Sequence, residues 1–146
     1  AFSASYADEM NRTEAEIATR VTPAADGSLC VFGAWIDEQL AGIVAFIRPQ
    51  RAKLQHGAGV AGMYVAPELR RRRVGRDLLD AVIAHARSVG VRQLKLSVNA
   101  VNSGARRLYE SAGFECYGVE PAALQIDGTY YDEAHYFLHL PARGEA

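Results

Sequence analysis

The run from Val60 to Val98 constrains this chain most, because it reads in order as strand, cationic turn, amphipathic helix and strand. A strand ends at Met63-Tyr64-Val65, and the turn that follows carries Arg70-Arg71-Arg72-Arg73 ahead of Val74-Gly75-Arg76. Over 75–89, Leu78, Leu79, Val82, Ile83 and Ala86 recur at helical spacing, and Gly90 supplies the stop. Leu94, Leu96 and Val98 then alternate with Gln93, Lys95 and Ser97, the pattern of a strand with one face buried. Unpaired N–H groups and the helix dipole point the same way at a helix start, so the cationic turn is a ready anion site.

The remaining elements fit around this unit. Leu29–Ile36 and Leu40–Ile47 are apolar runs joined by Asp37-Glu38-Gln39, which predicts an antiparallel hairpin ended by Pro49. Gly57, Gly59 and Gly62 predict a weak or bulged strand at 60–65. Asn102 or Ser103 can cap a helix to about Ala112, with Gly113 as its C-cap. Strands are expected at 114–119, 122–126, 129–131 and 134–140, with Asp127-Gly128 as a hairpin turn. A short polar helix is expected over 7–20. The sum is α+β: a mixed, mostly antiparallel sheet flanked by helices in three α/β/α layers.

At 146 residues the chain fits one domain, 1–146, able to bury a working core. It has no run of about 18 apolar residues, so no membrane span is expected. The first twenty residues lack the basic start and apolar core of a signal peptide. Cys30 and Cys116 share no metal-like spacing, and the expectation is of reduced, buried thiols in a cytoplasmic protein with no metal. The net charge of −1 hides a division: residues 70–107 carry +8, and residues 108–142 carry −6 with no Lys or Arg. One part suits a polyanion and the other a cation.

The turn 70–76 suits a pyrophosphate held by backbone N–H groups, with arginine side chains at the rim. No Gly-Lys-Ser/Thr follows it, which argues against nucleotide triphosphate hydrolysis. Two readings are open for Tyr109, four residues before the Gly113 cap: core with its hydroxyl satisfied, or a proton donor that stays protonated at neutral pH. Asn99 and Asn102 are either turn and capping residues or amides that bond a ligand passing the end of strand 93–98.

Two segments resemble the GNAT superfamily of N-acetyltransferases, which transfer acetyl from acetyl-coenzyme A to a primary amine. The family loop Arg/Gln-x-x-Gly-x-Gly/Ala is matched at Arg70 and Gly75 and departs at Arg73, where glycine is usual. The family segment Asn-x-x-Ala-x-x-Leu-Tyr-x-x-x-Gly-Phe is matched throughout, at Asn102, Ala105, Leu108, Tyr109, Gly113 and Phe114. The likeness is strongest over 60–119, and it leaves the family's opening strand without a counterpart.

The resemblance implies acetyl-coenzyme A in a V-shaped gap between strands 60–65 and 93–98. It puts pantetheine on backbone groups of Met63 and Val65. The diphosphate falls on the N–H groups of Arg71, Arg72, Arg73, Val74, Gly75 and Arg76, with Arg70 at the rim and Asn99 and Asn102 also in reach. A backbone N–H near Met63 or Val65 would stabilise the oxyanion, Tyr109 would protonate the departing thiolate, and Asn102 would hold pantetheine or a water. Many relatives supply a base from the strand before Pro67, but no Asp or Glu lies between Leu54 and Pro67 here. Glu120, His56, Asp132 and His135 are the candidates, with a water-mediated route as the equal alternative, and Glu120 and Asp132 would favour a cationic small-molecule or peptide amine. Relatives often dimerise, so a homodimer is expected. The alternatives are a coenzyme A-binding sensor without turnover and a nucleic-acid patch at Arg70–Arg73, the latter disfavoured by a net charge near zero.

Overall fold

The structure, a computed structural model, describes residues 16–18, 25–70 and 73–142. Among these residues seven strands form one sheet: β1 Glu16–Ala18, β2 Leu29–Ile36, β3 Gln39–Ile47, β4 Gly57–Val65, β5 Gln93–Asn99, β6 Glu115–Ile126 and β7 Thr129–His139. Their order is β1-β2-β3-β4-β5-β7-β6. Helix α1, Val74–Ser88, links β4 to β5, and helix α2, Ser103–Ser111, links β5 to β6. Only β4 and β5 are parallel, so the sheet is mixed and mostly antiparallel, as expected.

That parallel pair parts early. Gly57, Ala58 and Gly59 pair with Gln93, Leu94 and Lys95, and beyond Gly59 no further pairs form. A bulge in β4 accompanies the divergence: two β3 steps from Ile43 to Ala45 answer three β4 steps from Tyr64 to Ala61. Gly62 takes up the extra residue at φ +62°, a conformation that favours glycine. Backbone groups of β4 that would have bonded β5 are thereby freed along the gap.

Strand parity shows that both helices pack on one face. Gly42 abuts Val74 and Leu78 of α1, and Phe46, of the same parity, meets the His85 ring of α1. Phe46 pairs with Val60, Ala58 with Leu94, and Leu96 with Tyr136, which touches Tyr109 of α2. One continuous core results, with Val44, Phe46, Leu78, Leu79, Val82, Leu94 and Tyr136 fully buried. The described residues therefore make two layers. On the other sheet face, Ile43 and Ile47 are exposed.

Three expectations change. Residues 16–18, inside the helix expected over 7–20, form a strand on β2, because an unpaired sheet edge outweighs weak helical periodicity; the rest of that segment is outside the described residues. The four short strands after Gly113 are two long ones. Bulges at 117 and 121–123 absorb the extra residues, and Pro121, which has no N–H to give a ladder, sits in the second. Cys30 is buried as expected, whereas Cys116 is exposed. The Asp37-Glu38 and Asp127-Gly128 turns have both residues at positive φ, the geometry that matches strand twist in two-residue hairpins.

Candidate active site

A groove of about 890 Å³ occupies the gap between β4 and β5 and runs under the starts of α1 and α2. The loop to α1 is fixed from below. Pro67 opens a 3₁₀ turn at 67–69, and Leu69, only 1% exposed, drives it into the core. The chain then enters α1 through Arg73 at φ +62°. The family's glycine at this position has a physical reason, since the backbone is left-handed here and an arginine holds it at a cost of about 1–3 kcal/mol.

No side chain caps α1 among the described residues, and its first helical bond runs from the Asp77 N–H to the Arg73 carbonyl. The N–H groups of Val74, Gly75 and Arg76 therefore open onto the groove without helical partners. Gly75 has a second role. A Cβ there would come 2.9 Å from Leu108 Cδ2 and 3.7 Å from Val65 Cγ2, so glycine lets the start of α1 nest against α2 and β4.

Among the described residues the groove wall carries Arg70, Arg73, Arg76 and Arg107 and no acidic side chain. Arg76 is partly committed, donating from Nε to Asp80 Oδ1 at 3.1 Å and from a terminal nitrogen to the Ser111 carbonyl at 3.0 Å. Arg70 Nε reaches back to the Val65 carbonyl at 3.4 Å. Four guanidinium groups around an open helix start make a site for a polyanion with adjacent phosphates.

Met63, Val65 and Tyr109 lie on the same wall. Tyr109 is the one buried residue of α2, its ring edge-on to Phe114 at 6.2 Å and tilted against Tyr136 at 6.3 Å. Burial raises its phenol above the ordinary tyrosine value near 10, so it is protonated at neutral pH. Asn102 is both capping residue and wall residue. Its carboxamide oxygen accepts from the Ala105 N–H at 3.1 Å, leaving the amide NH₂ for a ligand.

Other expected site residues lie elsewhere. Asn99 is not on the wall; its side chain accepts from the Val101 N–H at 3.1 Å in the turn before α2. Arg71 and Arg72 are outside the described residues. Asp132 Oδ1 accepts from the Ala122 N–H at 2.9 Å and so pins the β6 bulge, where Ala122 is at φ +51°. His56 precedes β4 at the closed end of the gap, its carbonyl accepting from the Arg92 N–H at 2.7 Å. Glu120 joins Glu133 and His135, with His135 Nε2 3.8 Å and 3.6 Å from the two carboxylates. These three could share a metal ion, and exposed acidic groups often stand together without one. Strand register sets His135 directly across from Ser97, a groove residue. Arg107 and Ser97 were not expected on the wall. Nothing in the spacing separates Arg107 from its neighbour Arg106, and Ser97 read only as the solvent side of an alternating strand.

Comparisons with known proteins agree with this architecture. Residues 1–114 match the family model for the acetyltransferase (GNAT) family. The chain is 46% identical over 56 residues to a mycothiol acetyltransferase of Thermobispora bispora, covering 38% of this chain and 19% of that protein. It spans less than half the length of the curated relatives it matches, 19%, 16% and 43%. Among solved structures, a ribosomal-protein-alanine N-acetyltransferase from Brucella melitensis superposes with a TM-score of 0.72 at 28% identity, covering 79% of this chain and 70% of that one. A Bacillus subtilis acetyltransferase in complex with CoA shares the fold alone, with a TM-score of 0.72 at 14% identity over 87% of this chain and 99% of that one. The match over most of its length and the parted strands above an open helix start make this chain a member of the GNAT family of acetyltransferases.

Proposed function

We propose that this protein transfers acetyl from acetyl-coenzyme A to a primary amine by direct attack, with Tyr109 as general acid. The observation that carries the reading is the groove itself: among the described residues, four arginines and no acid on its wall, the open N–H groups of Val74, Gly75 and Arg76 at one end, and Tyr109 alongside. The diphosphate of the cosubstrate would sit on those N–H groups, with Arg71 and Arg72 of the same turn as further contacts, and its pantetheine along the freed backbone of Met63 and Val65. Asn102 would offer its NH₂ to pantetheine or to a water.

Attack needs a neutral amine, and a lysine-like amine with a pKa about 10.4 is free base in only roughly one molecule in a few thousand at pH 7. Removing that proton, polarising the thioester carbonyl from a β4 N–H and protonating the leaving thiolate divide the work. We assign the acceptor's side to the acid-rich β6–β7 hairpin, where Glu120 of β6 stands with Glu133 and His135 of β7, His135 being directly across from groove residue Ser97. Asp132, pinned to the bulge, would act there through its charge. The Glu120→Gln variant is expected to raise KM for cationic amines several-fold; an unchanged KM across an amine panel removes Glu120 from the acceptor site.

The test of the whole reading is thiol release from acetyl-coenzyme A over that panel. Tyr109→Phe is expected to lower kcat by about 10²–10⁴-fold with KM for acetyl-coenzyme A little changed. Binding of coenzyme A with no thiol release for any amine would favour a sensor module instead.

A further inference from the structure

The short helix that carries Tyr109 is held to the core by few side chains. Helix α2 is nine residues long; Tyr109 is its one buried residue, and Ala105 and Leu108 pack on the core while only partly buried. A roll about the helix axis would swing the Tyr109 hydroxyl along the groove wall. A second tyrosine opposes that roll. Tyr136 is 0% exposed at a core position of β7, and its hydroxyl rises between two residues one turn apart on α2. It accepts from Arg106 Nε at 2.8 Å and donates to Glu110 Oε2 at 2.8 Å. Arg106 also donates to the Ala100 carbonyl at 3.0 Å, tying the same point to the β5–α2 turn, and its guanidinium lies 5.8 Å from the centre of the Tyr136 ring.

Opposite charges at i and i+4 ordinarily pair with each other across a helix turn. Here a buried phenol stands between them and fixes both to the sheet. Tyr109 is the residue next to Glu110 and rests its ring on Tyr136. We infer that Tyr136 is a positioning residue, whose hydroxyl locks the rotation of α2 through Arg106 and Glu110 and so aims the Tyr109 hydroxyl into the groove. This rests on the reading of Tyr109 as general acid.

A double-variant cycle in kcat tests it. Tyr136→Phe keeps the ring and loses both hydrogen bonds; it is expected to lower kcat about tenfold with KM for acetyl-coenzyme A within about twofold, since small displacements of a catalytic group cost up to roughly 10²-fold. In a Tyr109→Phe background the same change is expected to alter kcat less than about twofold, because no acid is left to aim. Glu110 is exposed and can be changed without disturbing the core. Glu110→Ala is expected to lower kcat in the same way, and Glu110→Gln, which keeps an acceptor oxygen, to recover most of that loss. Independent, multiplying effects of Tyr136→Phe and Tyr109→Phe would overturn the positioning role and leave the acid reading intact, as would unchanged kcat in both Tyr136→Phe and Glu110→Ala. An unchanged kcat in Tyr109→Phe alone overturns both.

Discussion

Arg73 shows how one residue can serve a site and burden the fold. It stands at φ +62°, where the Cβ of any L-residue is crowded and glycine is at ease. Replacing it with glycine relieves that crowding but adds unfolded-chain entropy, so Arg73→Gly is expected to be neutral or stabilising by up to about 1 kcal/mol. It also removes one of the guanidinium groups on the groove wall, so the apparent Kd for coenzyme A should rise and the effect should shrink with added salt. Thermal unfolding and titration of one variant read both signs. A destabilised Arg73→Gly, or one that binds coenzyme A as tightly as the parent, contradicts the account. The Asn102–Phe114 segment made Asn102 and Tyr109 legible from sequence alone, because each has a local role in a helix that its spacing sets. Arg107 was not legible, since a second arginine beside Arg106 does not say which one faces the groove and which turns to Tyr136.

At the scale of elements, α1 is the rigid support under the groove, and one of its contacts makes it acid-sensitive. The His85 ring lies edge-on to Phe32 at 5.5 Å and to Phe46 at 4.8 Å. Burial lowers its pKa below the ordinary 6.5, because the apolar surroundings disfavour the charged ring. The unfolded chain takes up that proton first as pH falls, so the contribution is present above about 6.5 and is lost as pH drops through the folded value. Denaturant midpoints between pH 7.5 and 5 should therefore fall more steeply for the parent than for His85→Gln. Parallel pH slopes would show that His85 does not carry this dependence. Helices α1 and α2 and the first hairpin could be read from periodicity, caps and turn residues. The β6–β7 pair was read as four strands because the period-2 pattern slips at each bulge. What bridges the slip is long-range: Asp132, ten residues on, takes the N–H of Ala122.

The whole molecule sorts its charge by place, as the linear sequence suggested. Among the described residues Arg70, Arg73, Arg76 and Arg107 line one groove, and Glu120 and Glu133 stand together on the β6–β7 hairpin, while Arg106 turns to Tyr136 instead. Chain order alone could not separate a scattered surface from an assembled site. The parting of β4 from β5 after Gly59 makes the difference, since it opens the sheet where the cationic turn ends. No helix among the described residues is long and apolar enough to cross a membrane. The central claim is that a diphosphate rests on the backbone at the start of α1. An amide-resolved ¹H–¹⁵N NMR titration with coenzyme A reads those atoms directly. The account predicts the largest shifts at the N–H groups of Val74, Gly75 and Arg76, with the 120–132 hairpin tip unmoved; saturation of binding that leaves those three amides in place would contradict it.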